Sequence, residues 1–85
     1  MKIKDGYIVR KIGTKYYAIS PAQAAEGGMI ALNETGAFIW NLLKEEKTLE
    51  EVAAALAAEY EIDLSVATED TKAYLEMLKG ADALA

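Results

Sequence analysis

Eighty-five residues, 53% of them hydrophobic, suffice for one small domain with a single core and leave no room for a large catalytic cavity beside it. The chain has no cysteine and no histidine, which excludes disulfides, zinc and iron–sulfur ligation, thiolate nucleophiles and imidazole bases. Nine Lys and Arg against fourteen Asp and Glu leave a net charge of −5, the wrong sign for neutralising phosphates.

No catalytic residue, metal or cofactor is therefore expected, and no nucleic-acid partner. The N-terminal "MKIKDGYIVRKIG" has no signal-peptide core, and no apolar run reaches the roughly 18 residues of a membrane helix. These features predict a cytoplasmic, membrane-free domain over residues 1–85 that is not an enzyme.

Asp5-Gly6 signals a turn, and Tyr7 to Ile12, "YIVRKI", is rich enough in β-branched and aromatic residues to be a strand. Gly13-Thr14-Lys15 turns the chain, and Tyr16 to Ser20 returns, with Tyr17 and Ile19 on one face and Tyr16 and Ala18 on the other. Pro21 ends this strand, and "AQAAEGG" is too short to hold a helix. A third strand is predicted from about Met29 to Leu32. Asn33 directly follows as an N-cap, with Glu34 suited to the positive end of the helix dipole. The first helix is expected to carry Phe38, Ile39, Trp40, Leu42 and Leu43 and to end near Lys44, with Trp40 in the core.

Thr48 and Glu51 form a capping box that opens a second helix. On it Leu49, Val52, Ala53, Leu56 and Tyr60 make one apolar stripe, and Glu50, Glu51 and Glu59 face solvent. Asp63 or Ser65 can cap a third helix, predicted from about Ser65 to Lys79 with Gly80 as its C′ residue. Ala67, Thr71, Tyr74, Leu75 and Leu78 gather on one of its sides. Three strands followed by three helices define an α+β domain.

Few residues offer chemistry. Glu45-Glu46 and Glu50-Glu51 diverge around a helix with nothing apolar to raise a pKa, so they read as solvated faces. Gly27-Gly28 precedes a strand and not a helix, which argues against a phosphate cradle. Lys2, Lys4, Arg10, Lys11 and Lys15 make the N-terminal hairpin basic, either for solubility or to steer an acidic segment. The strand "GMIAL" is different. It carries no lysine, proline or inward charge, the devices that blunt an exposed edge, so it is either interior or an edge meant to be paired.

"GGMIALNETGAFIWNLL", then "KTLEEVAAALAAEYEID", then "ATEDTKAYLEMLKGADAL" resembles the PqqD family, the pyrroloquinoline quinone biosynthesis protein D group, over nearly the whole chain. The most specific block is "LNETGAFIW", supported by "TLEEV" and by Asp70 with "AYLEML". Thr71 departs from the pattern, standing where an apolar residue is usual. The resemblance implies a winged-helix-like fold and a precursor-peptide recognition element. Such a domain binds the leader of a ribosomally made peptide and presents it to a modifying enzyme, commonly a radical S-adenosylmethionine enzyme. It further implies that the leader adds as a strand beside the third strand, in a groove closed by the third helix.

Strand addition along Gly28, Met29, Ile30, Ala31 and Leu32 would supply roughly four to six main-chain hydrogen bonds at about 1 kcal/mol net each. Micromolar binding needs about −8 kcal/mol and ordering a leader costs about 2–5 kcal/mol, so side-chain pockets must add to it. On the third helix, Asp70, Met77 and Ala81 flank the buried stripe on one side, bordered by Tyr74, and Thr68, Lys72 and Lys79 on the other. Met77 adapts to varied ligands and Tyr74 offers a flat face and a hydroxyl, so Asp70, Tyr74 and Met77 are the predicted groove residues. The lysine side is the alternative. A winged-helix DNA-binding regulator is the competing function, disfavoured because the second helix has no Lys or Arg and the third only Lys72 and Lys79.

Overall fold

The computed structural model describes residues 1–19 and 29–85. Its first strands are β1 (Ile8–Ile12) and β2 (Lys15–Ile19), paired antiparallel with Ile12 opposite Lys15. That pairing leaves two turn residues, and Gly13, at φ +64°, supplies the positive φ that such a turn needs at its first position. Hence β2 starts at Lys15, one residue before the sequence expectation. Strand β3 (Met29–Leu32) pairs antiparallel with β2, giving the order β1-β2-β3. The segment "AQAAEGG", read as a loop, lies outside the described residues, as does Gly28.

The register sorts the side chains onto two faces. Val9, Ala18 and Ile30 form one row toward the helices, and Lys11, Tyr16 and Leu32 the next. Ala18 and Leu32 are buried there. The outer face carries Ile8, Ile19 and Met29 in one row, with Ile8 and Met29 more than half exposed.

Helix α1 (Glu34–Leu42) follows β3 after Asn33 alone, whose side chain accepts the Gly36 N–H at 2.7 Å. It stops two residues before the expected end at Lys44. The Leu43 carbonyl is taken by the Ile3 N–H at 2.8 Å, and the next bonds tighten to Lys44 N–H on Asn41 and Glu45 N–H on Leu42. Helix α2 (Leu49–Tyr60) has both halves of its capping box, Glu51 N–H to Thr48 Oγ1 at 3.1 Å and Thr48 N–H to Glu51 Oε1 at 2.9 Å. Val52, Ala53 and Leu56 are its buried stripe.

Helix α3 (Leu64–Gly80) buries Ala67, Thr71, Leu75 and Leu78. Thr71, the unusual polar residue on this stripe, satisfies its hydroxyl on the Ala67 carbonyl at 2.7 Å and is fully buried without an orphaned donor. Two expectations at the ends of α3 are corrected. Asp63 holds the N-cap backbone geometry but its side chain makes no capping bond. Gly80 is still helical, and the left-handed residue is Asp82 at φ 56°.

The exit is a Schellman arrangement, with Ala83 N–H on Leu78 at 2.9 Å and Asp82 N–H on Lys79 at 3.0 Å. Asp82 accepts this conformation because the tail beyond it is fastened: Lys4 Nζ lies 2.9 Å from its carboxylate and Ile3 bridges Leu84. Ala83 is buried in the same core as Trp40, Leu56 and Leu78. Trp40, 2% exposed, meets Tyr7 edge-on at 5.1 Å.

Candidate functional site

The strand order among the described residues gives β3 a neighbour on one side only. Among the described residues nothing pairs with its other side, so alternate N–H and C=O groups along Met29–Leu32 point away from the sheet. Of the two readings left open by the sequence, interior strand or edge, the described residues give the edge. Met29 is largely exposed, Ile30 half-buried, Ala31 exposed and Leu32 buried under α1.

Tyr74 of α3 reaches to the junction between β3 and α1. Its hydroxyl donates to Asn33 Oδ1 at 3.2 Å, the same oxygen that caps α1 through Gly36 N–H. The phenol lies against Gly36 so closely that a Cβ at position 36 would stand 1.5 Å from its oxygen and 2.1 Å from Cζ. A glycine inside a helix costs about 1 kcal/mol relative to alanine, and here its missing side chain is the seat of the tyrosine ring. Burial pushes the Tyr74 phenol above its ordinary pKa, partly offset by its hydrogen bonding at Asn33.

Two hollows adjoin at Tyr74. One, of about 500 Å³, is lined by Thr14 and Lys15, by Ala31 to Glu34, and by Tyr74. The other, of about 230 Å³, is lined by Asn33, Thr35, Asp70, Ala73 and Tyr74. Together they make a trough from the C-terminal end of β3 past the tyrosine to the Asp70 carboxylate. Of the residues singled out from sequence, Ala31, Leu32, Tyr74 and Asp70 are thus brought together. Met29 and Ile30 lie farther along the open strand, and Met77, 37% exposed, one turn farther along the Asp70–Tyr74 flank. Asn33, Thr35, Gly36 and Ala73 were not singled out for this site. Only the glycine within an otherwise good helix sequence carried a signal, that of an element needing close approach.

The other flank of α3 is occupied by its own ion pairs. Lys72 sits 3.8 Å from Glu69 and Lys79 3.7 Å from Glu76, each one turn away. Among the described residues no three His, Cys, Asp or Glu side chains come together in a way that could hold a metal ion, and no helix is long and apolar enough to cross a membrane.

Comparison with known proteins bears on this geometry. No curated protein matches the chain. A solved structure described as TbiB1 in complex with the TbiA(beta) leader peptide is similar at 30% identity and a TM-score of 0.78, over 99% of this chain and 94% of that one. The family model for coenzyme PQQ synthesis protein D matches residues 22–84. With a matching family model over most of its length and the sheet-then-helices architecture shared with that structural neighbour, the chain belongs to the PqqD family.

Proposed function

We propose that this protein is a non-catalytic recognition module that binds the leader of a ribosomally made precursor peptide and presents it to a modifying enzyme. The observation that carries this reading is the open edge of β3 ending at a trough walled by α3. An extended peptide laid along Met29–Leu32 adds a strand to the sheet, and its main chain takes up the free N–H and C=O groups. Side chains leaving that strand at the Leu32 end enter the hollows beside Tyr74, where the ring face gives apolar contact and Asp70 accepts a hydrogen bond. Met77 extends the apolar wall along the same flank. The similarity to a protein solved with a leader peptide supports this occupant.

The partner enzyme in this reading is one that modifies peptides, of the radical S-adenosylmethionine type common to the family, and the setting is the cytoplasm, where precursor peptides are made. A DNA-binding role has nothing in its favour. Helix α2 has no basic residue, and both lysines of α3 are already paired with glutamates. Amide hydrogen exchange with and without the cognate leader tests strand addition. Exchange at Met29 to Leu32 is expected to slow on binding. Unchanged exchange there, with binding confirmed by calorimetry, refutes the strand-addition mechanism.

A further inference from the structure

A separate hollow of about 490 Å³ lies on the other side of α1. At 3.6 residues per turn, Glu34, Phe38 and Asn41 fall on one line of that helix, opposite Gly36 and the tyrosine seated on it. Three aromatic rings wall this hollow, Tyr16 from β2, Phe38 from α1 and Tyr60 from the end of α2. Phe38 and Tyr60 stand edge to face at 5.7 Å and 83°, and all three rings are half-buried against the core, so their positions are set by packing.

Two carboxylates, Glu34 and Glu59, share the lining. Among the described residues neither has a Lys or Arg nitrogen within 4.0 Å, although six other acidic groups do have a cationic partner. Their field is felt at the ring between them: burial first, then Glu34 and Glu59, push the Tyr60 phenol above its ordinary value. In an adjoining hollow lined by Lys11, Thr14, Tyr16 and Glu34, Lys11 Nζ lies 5.6 Å from the centre of the Tyr16 ring.

We propose that this hollow binds a cationic side chain, guanidinium or alkylammonium, carried by a polypeptide partner. Ring faces present negative charge to a cation and are worth more where water is partly excluded. Carboxylates beside them add charge-assisted hydrogen bonds, bidentate for a guanidinium. An anion meets two negative groups here, and a neutral apolar group leaves both carboxylates without a partner. The hollow is open to solvent, which suits a side chain delivered from a backbone outside it. The Lys11 contact shows that the Tyr16 ring accepts a cation. Glu34 also borders the leader trough, whereas Phe38, Glu59 and Tyr60 line this hollow alone, so Glu59→Gln separates this inference from the leader-binding reading.

The test is a titration of the full chain, followed by amide and aromatic chemical shifts, with the blocked tripeptides acetyl-Gly-Arg-Gly-amide, acetyl-Gly-Lys-Gly-amide and acetyl-Gly-citrulline-Gly-amide. Saturable shifts at Glu34, Phe38, Glu59 and Tyr60 are expected with the arginine or lysine peptide and not with the neutral citrulline peptide, and the stronger of the two cations identifies the preferred head group. The double substitution Glu34→Gln with Glu59→Gln changes two exposed side chains, and the fold is checked by circular dichroism. It is expected to weaken the cationic peptide at least tenfold, and Glu59→Gln alone to weaken it severalfold. The proposal is overturned if citrulline moves the same amides to the same extent, if neither cationic peptide perturbs this hollow, or if the double variant binds as tightly as the parent.

Discussion

Replacing Gly36 with alanine sets two effects of known size against each other. Alanine is favoured over glycine in a helix by about 1 kcal/mol, so at an unencumbered position the change stabilises. Here the new methyl would fall 1.5 Å from the Tyr74 oxygen, 2.1 Å from Cζ and 2.7 Å from Cε1, so the ring must swing away. Leaving its seat costs the hydrogen bond to Asn33, about 1 kcal/mol. It also costs the apolar contact of a half-buried ring, roughly 1–1.5 kcal/mol. The net expectation for Gly36→Ala is a loss of about 1 kcal/mol.

In a Tyr74→Ala background the obstruction is gone, and the same substitution should stabilise by about 1 kcal/mol. The coupling between the two positions is therefore about 2 kcal/mol, within the range for residues in contact. Urea unfolding of the four proteins, followed by far-ultraviolet circular dichroism, measures it. A Gly36→Ala variant stabilised equally in both backgrounds would refute the seating of Tyr74 on this glycine.

Three further expectations concern binding and stability. By calorimetry, Tyr74→Ala and Met77→Asp should weaken the leader more than Lys72→Glu does, all three remaining folded; the opposite order would move the groove to the lysine flank of α3. Trp40→Ala removes a ring that is 2% exposed and should cost about 3–5 kcal/mol, close to the whole stability of a small domain, so a thermal melt near that of the parent would show that Trp40 is not core. Thr48→Ala should cost about 1 kcal/mol by opening the capping box. Hydrogen bonding at Thr48, led by its backbone N–H donating to the carboxylate, holds the Glu51 carboxyl below its ordinary pKa. Its stabilising contribution is accordingly present above the unfolded-state pKa and lost as pH falls through the folded one, so Glu51→Gln should flatten the acid limb of a stability–pH series; an unchanged limb would show the bonds to be absent in solution.

What could be read from the sequence was what neighbouring residues decide among themselves. A side chain three positions from an amide either caps it or does not, and so Asn33 and the Thr48–Glu51 box marked the starts of α1 and α2. Period-two and period-3.6 patterns put Tyr16 and Ala18 on one face of the strand, which the fold turns inward, and Val52, Leu56, Thr71, Leu75 and Leu78 in the core. The nomination of Tyr74 and Asp70 combined the same helical spacing with the groove along the third helix that the family resemblance implies.

Other features depended on partners far along the chain. Helix α1 stops at Leu42 because Ile3 takes the next carbonyl, and Asp82 rather than Gly80 turns left-handed because Lys4 and Ile3 hold the tail in place. The same local apolar run would suit a central strand or an edge, and only the order β1-β2-β3 makes Met29–Leu32 an edge among the described residues. Gly36 was a glycine without a reason until Tyr74, 38 positions away in the sequence numbering, came to rest on it. Local rules act through bonds and spacing within a few residues, whereas these features exist only where the folded chain brings distant backbones within a few ångströms.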